Sequence, residues 1–181
     1  GRLGIAYRML GQAEPAIDHL QQSLEIAQRY KDQRQESINL ANLGIAHRLA
    51  GDLEKTISYL ERALVMARKR EDKRGEAINL GNIGDAYREM NDVDQAISYY
   101  QQALSLARST RDRRGEGINL GRLGEAYRHQ NRYEMATEHL SRALDIARGT
   151  ADKRGEAINL GRIGDTFRDM ENYPQAIDHH Q

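Results

Sequence analysis

Apolar and small residues return along this chain at spacings of three and four. Leu80, Ile83, Gly84 and Tyr87 stand at i, i+3, i+4 and i+7, one face of a helix. Further on, Ala96, Ile97, Tyr100, Ala103, Leu104 and Ala107 draw a second stripe at helical period, with charged residues opposite. The pattern predicts two helices, A and B. Between them stand Gly11, Gly51, Asn91 and Asn131, residue types that enter the left-handed conformation ending a helix, followed in two copies by Asp52 or Asp92 as candidate N-caps. The return from B to A carries Asp32, Asp72, Asp112 or Asp152, each able to accept orphan N–H groups of the next helix. Glu36, Glu76, Glu116 and Glu156 add negative charge to that first turn. Pro15 and Pro174 both fall at the start of a B helix, where a missing N–H costs least.

The hairpin repeats. Sliding the chain against itself by forty residues aligns DQRQESINLANLGIAHR from Asp32, DKRGEAINLGNIGDAYR from Asp72, DRRGEGINLGRLGEAYR from Asp112 and DKRGEAINLGRIGDTFR from Asp152. GRLGIAYR at the start is a shortened copy. The expected organisation is a single array over 1–181 with copies at 1–31, 32–71, 72–111, 112–151 and 152–181. One hairpin cannot bury its own apolar stripe, so each copy is covered by the next. Gly84, Gly124 and Gly164 in helix A, with Ala96, Ala136 and Ala176 in helix B, are expected to let backbones approach closely. A glycine inside a helix costs roughly 1 kcal/mol relative to alanine, so its recurrence implies a packing reason.

The pattern Leu-x-x-[Leu/Ile]-Gly-x-x-Tyr, followed by Ala twelve residues after the Gly, resembles the tetratricopeptide repeat over essentially the whole chain. The forty-residue period is similar to the long-helix variety found in spindle-orientation adaptors of G-protein signalling, kinesin light chains and sensor arrays of bacterial signalling ATPases. His47 in place of the Tyr, Thr56 in place of the Ala and Ser23 in place of the second Ala depart from the pattern without threatening it. The resemblance implies an all-α fold, a right-handed α-solenoid of antiparallel helix pairs, whose A helices line a concave groove for a peptide or partner protein. Carried over onto this chain, the groove positions are Asn42, Asn82, Arg122 and Arg162, then Ile45, Asp85, Glu125 and Asp165, then Arg48, Arg88, Arg128 and Arg168. The shortened first copy adds Arg2, Ile5 and Arg8. Asp85 with Arg88, Glu125 with Arg128 and Asp165 with Arg168 lie three apart on one helix and can pair among themselves as well as grip a ligand. Ile5 and Ile45 give way to acidic residues later on, which predicts a ligand with an apolar end toward the first copies and charge toward the last. The spindle adaptors carry Asn just after the Gly, where this chain has Ile, Asp or Glu, and the Lys positions of the chaperone-binding carboxylate clamp are unmatched.

Composition narrows the function classes. Lys plus Arg and Asp plus Glu number 27 each, so no net field draws the chain to nucleic acid or anionic lipid. Cysteine is absent, removing disulfides, thiolate metal sites and Cys nucleophiles. No apolar run approaches the roughly 18 residues of a membrane span, and the first residues lack the apolar core of a signal peptide. The expected partner is therefore protein or peptide, with no nucleic acid, membrane, metal or cofactor, in the cytoplasm.

His19, His139 and His179 share one repeat position with Tyr59 and Tyr99, which reads as a semi-buried ring position rather than a metal site; adjacent His179 and His180 face different ways on a helix. No copy departs from the others so as to assemble a nucleophile, base and orienting group, and no catalytic residue is assigned. Arg34, Arg74, Arg114 and Arg154 near helix N-termini are expected to form a ladder of salt bridges with acids of adjacent turns, an anion site being the lesser alternative. Neither end carries a polar capping copy, so the chain is expected to be a piece of a longer array. Self-association through those ends, and service as the sensor arm of a larger signalling protein, are the alternative functions.

Overall fold

The computed structural model describes residues 1–180, the side chains of Tyr173, Ile177, His179 and His180 excepted; the sequence expectations for His179 and His180 therefore lie outside the described side chains. The chain forms two compact units, Gly1–Asp92 and Val93–Gln181. The first contains α1 (Arg2–Met9), α2 (Ala13–Arg29), α3 (Gln33–Leu49), α4 (Leu53–Lys69) and α5 (Lys73–Glu89). The second contains α6 (Val93–Ser109), α7 (Arg113–His129), α8 (Tyr133–Gly149), α9 (Lys153–Asp169) and α10 (Tyr173–His180). Odd-numbered helices are the A helices and even-numbered ones the B helices. Each helix packs on its sequence neighbour within its unit, and successive A helices also touch, α1 with α3, α3 with α5 and α7 with α9. This is the all-α solenoid architecture of stacked helix pairs.

The helices α3, α4, α7 and α8 each hold 17 residues, and three-residue turns between helices complete the forty-residue period. Each turn closes in the same way. At the end of α2 the N–H of Lys31 donates to Gln28 O at 3.1 Å and that of Asp32 to Ala27 O at 2.8 Å, the paired bonds of a Schellman motif. Asp32 then turns to the next helix, its carboxylate accepting from Gln35 N at 2.9 Å. Asp52, Asp72, Asp112 and Asp152 do likewise for Lys55, Gly75, Gly115 and Gly155. At these five turns one aspartate thus ends one helix and starts the next, whereas Gln12 and Arg132 hold that place before α2 and α8 with no side-chain cap.

Gly11, Gly51, Asn91 and Asn131 have positive φ, as their types predict. Lys31, Glu71, Arg111, Ala151 and Glu171 also do, at 55° to 59°, although their types do not favour it. The hydrogen bonds around them fix the turn despite a residue type that disfavours it.

Glycines in helix A seat against helix B. A Cβ on Gly124 would lie 2.5 Å from Leu140 Cγ and 3.1 Å from Ala136 O; Gly44 meets Leu60 and the carbonyl of Thr56 in the same way. The core of the first unit gathers Ala16, Leu20, Leu24, Leu40, Leu43, Ala46 and Ala63, and that of the second includes Leu140, Leu144 and Ile163.

Candidate functional site

Between successive A helices lies a groove in each unit. In the first it is walled by Ile38 and Ala41 of α3 and by Ile78 of α5, with Asn42, Ile45, Asn79 and Asn82 along it and Arg34, Arg70, Asp72 and Arg74 at one end. Its volume is about 360 Å³. In the second unit Ile118 of α7 and Ile158 of α9 form the walls, Ala143, Ile146 and Ala147 of α8 the floor, and Arg114, Arg122, Asn159, Arg162 and Asp152 the polar edge, around about 160 Å³. The four isoleucines are exposed large apolar side chains, Ile78 at 51%. They occupy one repeat position, directly before an asparagine, and neither residue is among the groove positions expected from the repeat pattern.

The asparagines explain the local order. Asn39, Asn79, Asn119 and Asn159 are all buried. Asn39 donates to Ser23 Oγ at 2.9 Å and accepts from Gln35 at 3.0 Å. Asn119 donates to Gly115 O at 2.9 Å and accepts from Arg122 at 3.3 Å. A buried amide held this way needs its partners, which is why the residue recurs in every full copy.

Of the residues expected in a groove, Asn42 and Asn82 line the first and Arg122 and Arg162 the second. Ile45 lines the first as well, whereas Glu125, Arg128, Asp165 and Arg168 stand further along the A helices, paired with one another. Glu125 pairs with Arg128 at 2.6 Å, His129 at 3.4 Å and Arg162 at 3.5 Å, and Asp165 with Arg168 at 2.9 Å. Burial alone would raise the Glu125 carboxyl, but the Arg128 hydrogen bond and the surrounding cations hold it below its ordinary value. Arg48 of α3 reaches Glu89 of α5 at 2.6 Å, and Arg128 of α7 reaches Asp169 of α9 at 2.5 Å. Arg88 lies 3.9 Å from Glu89, while Asp85 engages in contacts of its own. Arg48 and Arg128 therefore fasten successive A helices, each to an acid forty-one residues on.

The expected ladder of turn arginines is present at Arg114, which lies 3.5 Å from Asp152. A second ladder is stronger in geometry: Arg68, Arg108 and Arg148, in the last turns of α4, α6 and α8, pair with Glu76, Glu116 and Glu156 at 2.8, 3.1 and 3.0 Å. Lys73, Arg113 and Lys153 bind the same carboxylates. For Glu76, burial raises the pKa but the bonds from Arg68 and Lys73 outweigh it, leaving it lowered.

Ring positions pair across the α1–α2, α3–α4 and α7–α8 hairpins. Tyr7 stacks on His19 at 5.4 Å, His47 on Tyr59 at 5.2 Å, and Tyr127 meets His139 at 5.1 Å. His19 and His139 are half-buried, as expected of a ring position. Among the described residues there is no group of three or more His, Cys, Asp or Glu placed to hold a metal ion, and no helix is long and apolar enough to cross a membrane.

Residues 34–109 and 117–181 match a family profile described as tetratricopeptide repeat, and residues 2–27 match another of that description. No curated protein matches the chain. Among solved structures, it is similar to a kinesin light chain of Podosopora anserina with nearly identical TPR-like repeats, at TM-score 0.76 and 16% identity over 98% of this chain and 88% of that one. It is also similar to the signal transduction ATPase with numerous domains of Pyrococcus horikoshii, which has a tetratricopeptide repeat sensor, at TM-score 0.82 and 23% identity over 98% of this chain and 28% of that one. Aspartyl phosphate phosphatase F from Bacillus subtilis aligns at TM-score 0.81 and 13% identity, over 98% and 56% of the two chains. At these identities the likeness is one of fold.

Proposed function

Because the chain belongs to the tetratricopeptide-repeat family, we propose that it is a non-catalytic protein-interaction array that binds a peptide or partner protein along its A helices. The observation that carries the reading is the pair of isoleucine-walled grooves between successive A helices, open apolar surface edged by amides and guanidinium groups. Asn42 and Asn82 in the first unit and Arg122 and Arg162 in the second are the groove residues closest to a ligand. Asp85, Arg88, Glu125, Asp165 and Arg168 extend the polar edge, and Arg48 and Arg128 act on the ligand through the spacing they impose on the A helices. The copies 1–31, 32–71, 72–111, 112–151 and 152–181 serve in this reading as one array, in the cytoplasm, without nucleic acid, membrane or cofactor.

The test is a random twelve-residue peptide library panned against the protein. Enriched peptides that bind the wild type and lose at least tenfold in affinity on Arg122→Glu with Arg162→Glu, at unchanged helicity, support the reading. Failure to enrich any peptide, or peptides indifferent to every groove substitution, refutes it. Light scattering against concentration separates self-association, which predicts growth in mass without any ligand. A second role, as sensor arm of a larger signalling protein, draws on the likeness to the Pyrococcus horikoshii protein.

A further inference from the structure

Arg8, Arg48 and Arg128 occupy one repeat position near the end of an A helix, and in each the guanidinium Nε is buried without a hydrogen-bond partner. What differs is the company of the terminal nitrogens. Arg48 Nη1 donates to Glu89, and Arg128 donates to Asp169 and to Glu125, so each cation meets an acid forty-one residues on. For Arg8 that place holds Leu49, and the place three residues back, acidic beside Arg128, holds Ile5. Among the described residues the Arg8 guanidinium makes no hydrogen bond or ion pair, and its terminal nitrogens, unlike Nε, are open to solvent. Burial and the neighbouring Arg48 charge both act against the Arg8 cation and lower its pKa. At Arg128 burial is outweighed by Glu125 and Asp169, and the pKa is raised. A half-buried cation without a counter-charge is stabilised by any acid that reaches it.

We infer that the Arg8 end of α1 docks an aspartate or glutamate side chain of a partner protein, set among apolar residues of that partner. The fold itself fills the equivalent place twice with such a residue: Glu89 and Asp169 are acids, each followed by an exposed methionine, Met90 or Met170. Around Arg8 no internal acid does so, and the surface is apolar, with Met9, Leu10 and Leu49 exposed at the ends of α1 and α3. A partner carboxylate on the Arg8 terminal nitrogens forms a charge-assisted pair of the kind Arg48 makes with Glu89. Apolar neighbours of that acid then cover Met9, Leu10 and Leu49. Leu49 stands at the opposite end of α3 from Ile38, so this surface is a second contact on the first unit and does not depend on the isoleucine-walled groove. It also puts one negative charge into the part of the ligand that Ile5 and Ile45 mark as apolar.

The probe is the twelve-residue peptide library, depleted on Leu49→Glu, whose new carboxylate takes the Arg8 nitrogens from within, and then panned on the wild type. The peptides kept carry an acid with an apolar neighbour. Resynthesised with amidated C-termini, they lose roughly tenfold in affinity for the wild type when that acid is changed to its amide, and a similar factor on Arg8→Gln. On Arg8→Gln the acid-to-amide exchange changes affinity by less than twofold, because the cation is already gone. The acid-to-amide comparison on the wild type needs no variant and stands even where one folds poorly. Three results overturn the inference: no peptide that separates the wild type from Leu49→Glu, an acid that matters equally in the wild type and Arg8→Gln, or peptides that bind only through a free C-terminal carboxylate. Growth in mass with concentration that Arg8→Gln abolishes overturns it too, by making a second copy of this chain the occupant. Peptides from the undepleted library that answer to the Arg122 and Arg162 reversals keep the groove reading standing in each of these cases.

Discussion

Gly124→Ala and Gly161→Ala are the same substitution on neighbouring A helices, and they are expected to have opposite signs. At Gly161 a Cβ meets nothing within 4 Å. The change then acts through helix propensity alone and stabilises by about 1 kcal/mol. At Gly124 the added carbon would lie 2.5 Å from Leu140 Cγ, 2.9 Å from Leu140 Cδ2 and 3.1 Å from Ala136 O. Leu140 is fully buried, and the carbonyl belongs to the backbone of α8, so relief requires α8 to move away from α7. Overpacking of this kind costs roughly 1–3 kcal/mol or somewhat more when backbone must yield. With the backbone of α8 in the way the cost falls at the upper end, about 3 kcal/mol, and after the propensity gain of about 1 kcal/mol the net is a loss of about 2 kcal/mol. Urea unfolding followed by far-ultraviolet circular dichroism reads it directly: at a slope of about 2 kcal/mol per molar, Gly124→Ala lowers the midpoint by roughly 1 M and Gly161→Ala raises it by about half that. Equal stabilisation by both substitutions would refute the close A-to-B packing on which the fold account depends.

Other expectations follow from the turns and the ionisable groups. Ala151→Gly, at φ 55°, removes a left-handed penalty and is expected to raise stability by up to about 1 kcal/mol, read as a higher urea midpoint. His47 is buried against Tyr59; burial lowers its pKa, with the Asp52 carboxylate opposing and Lys55 assisting. The unfolded chain therefore takes up the proton first, and stability falls as pH drops below about 6.5, a slope that His47→Tyr should flatten between pH 7 and 5. Glu76, Glu125 and Glu156 have lowered pKa values, so their contribution is full above the ordinary carboxylate range and is lost as pH falls below about 4. The midpoint measured from pH 5 to 3 should drop less in Glu76→Gln than in the wild type.

The scaffold was legible because each of its devices is a local matter of residue type. Asp32, Asp72, Asp112 and Asp152 cap the A helices where their spacing placed them, and Gly11, Gly51, Asn91 and Asn131 adopt the conformation their types favour. The other turns were hidden: nothing about Lys31 or Ala151 announces positive φ, which there follows from the Schellman hydrogen bonds. The intrahelical pairs of Glu125 and Asp165 were readable from a spacing of three. Arg48 with Glu89 and Arg128 with Asp169 were not, because a contact between stacked copies depends on how far one A helix is shifted along the next. Nothing in the pattern of apolar positions separates isoleucines 38, 78, 118 and 158 from core residues, and it is the packing of α3 on α5 and of α7 on α9 that leaves them open. Arg8 could be singled out only by asking which acid meets each arginine of its series.

Hydrogen–deuterium exchange with and without the library-derived peptide tests the interaction account most directly. Protection concentrated in α3 and α5, or in α7 and α9, around the isoleucine walls is the predicted result. The B helices offer a competing surface, including a shallow depression at Glu61, Arg62, Val65 and Met66 of α4. Protection confined to that surface, with the A helices exchanging as in the free protein, would contradict the account.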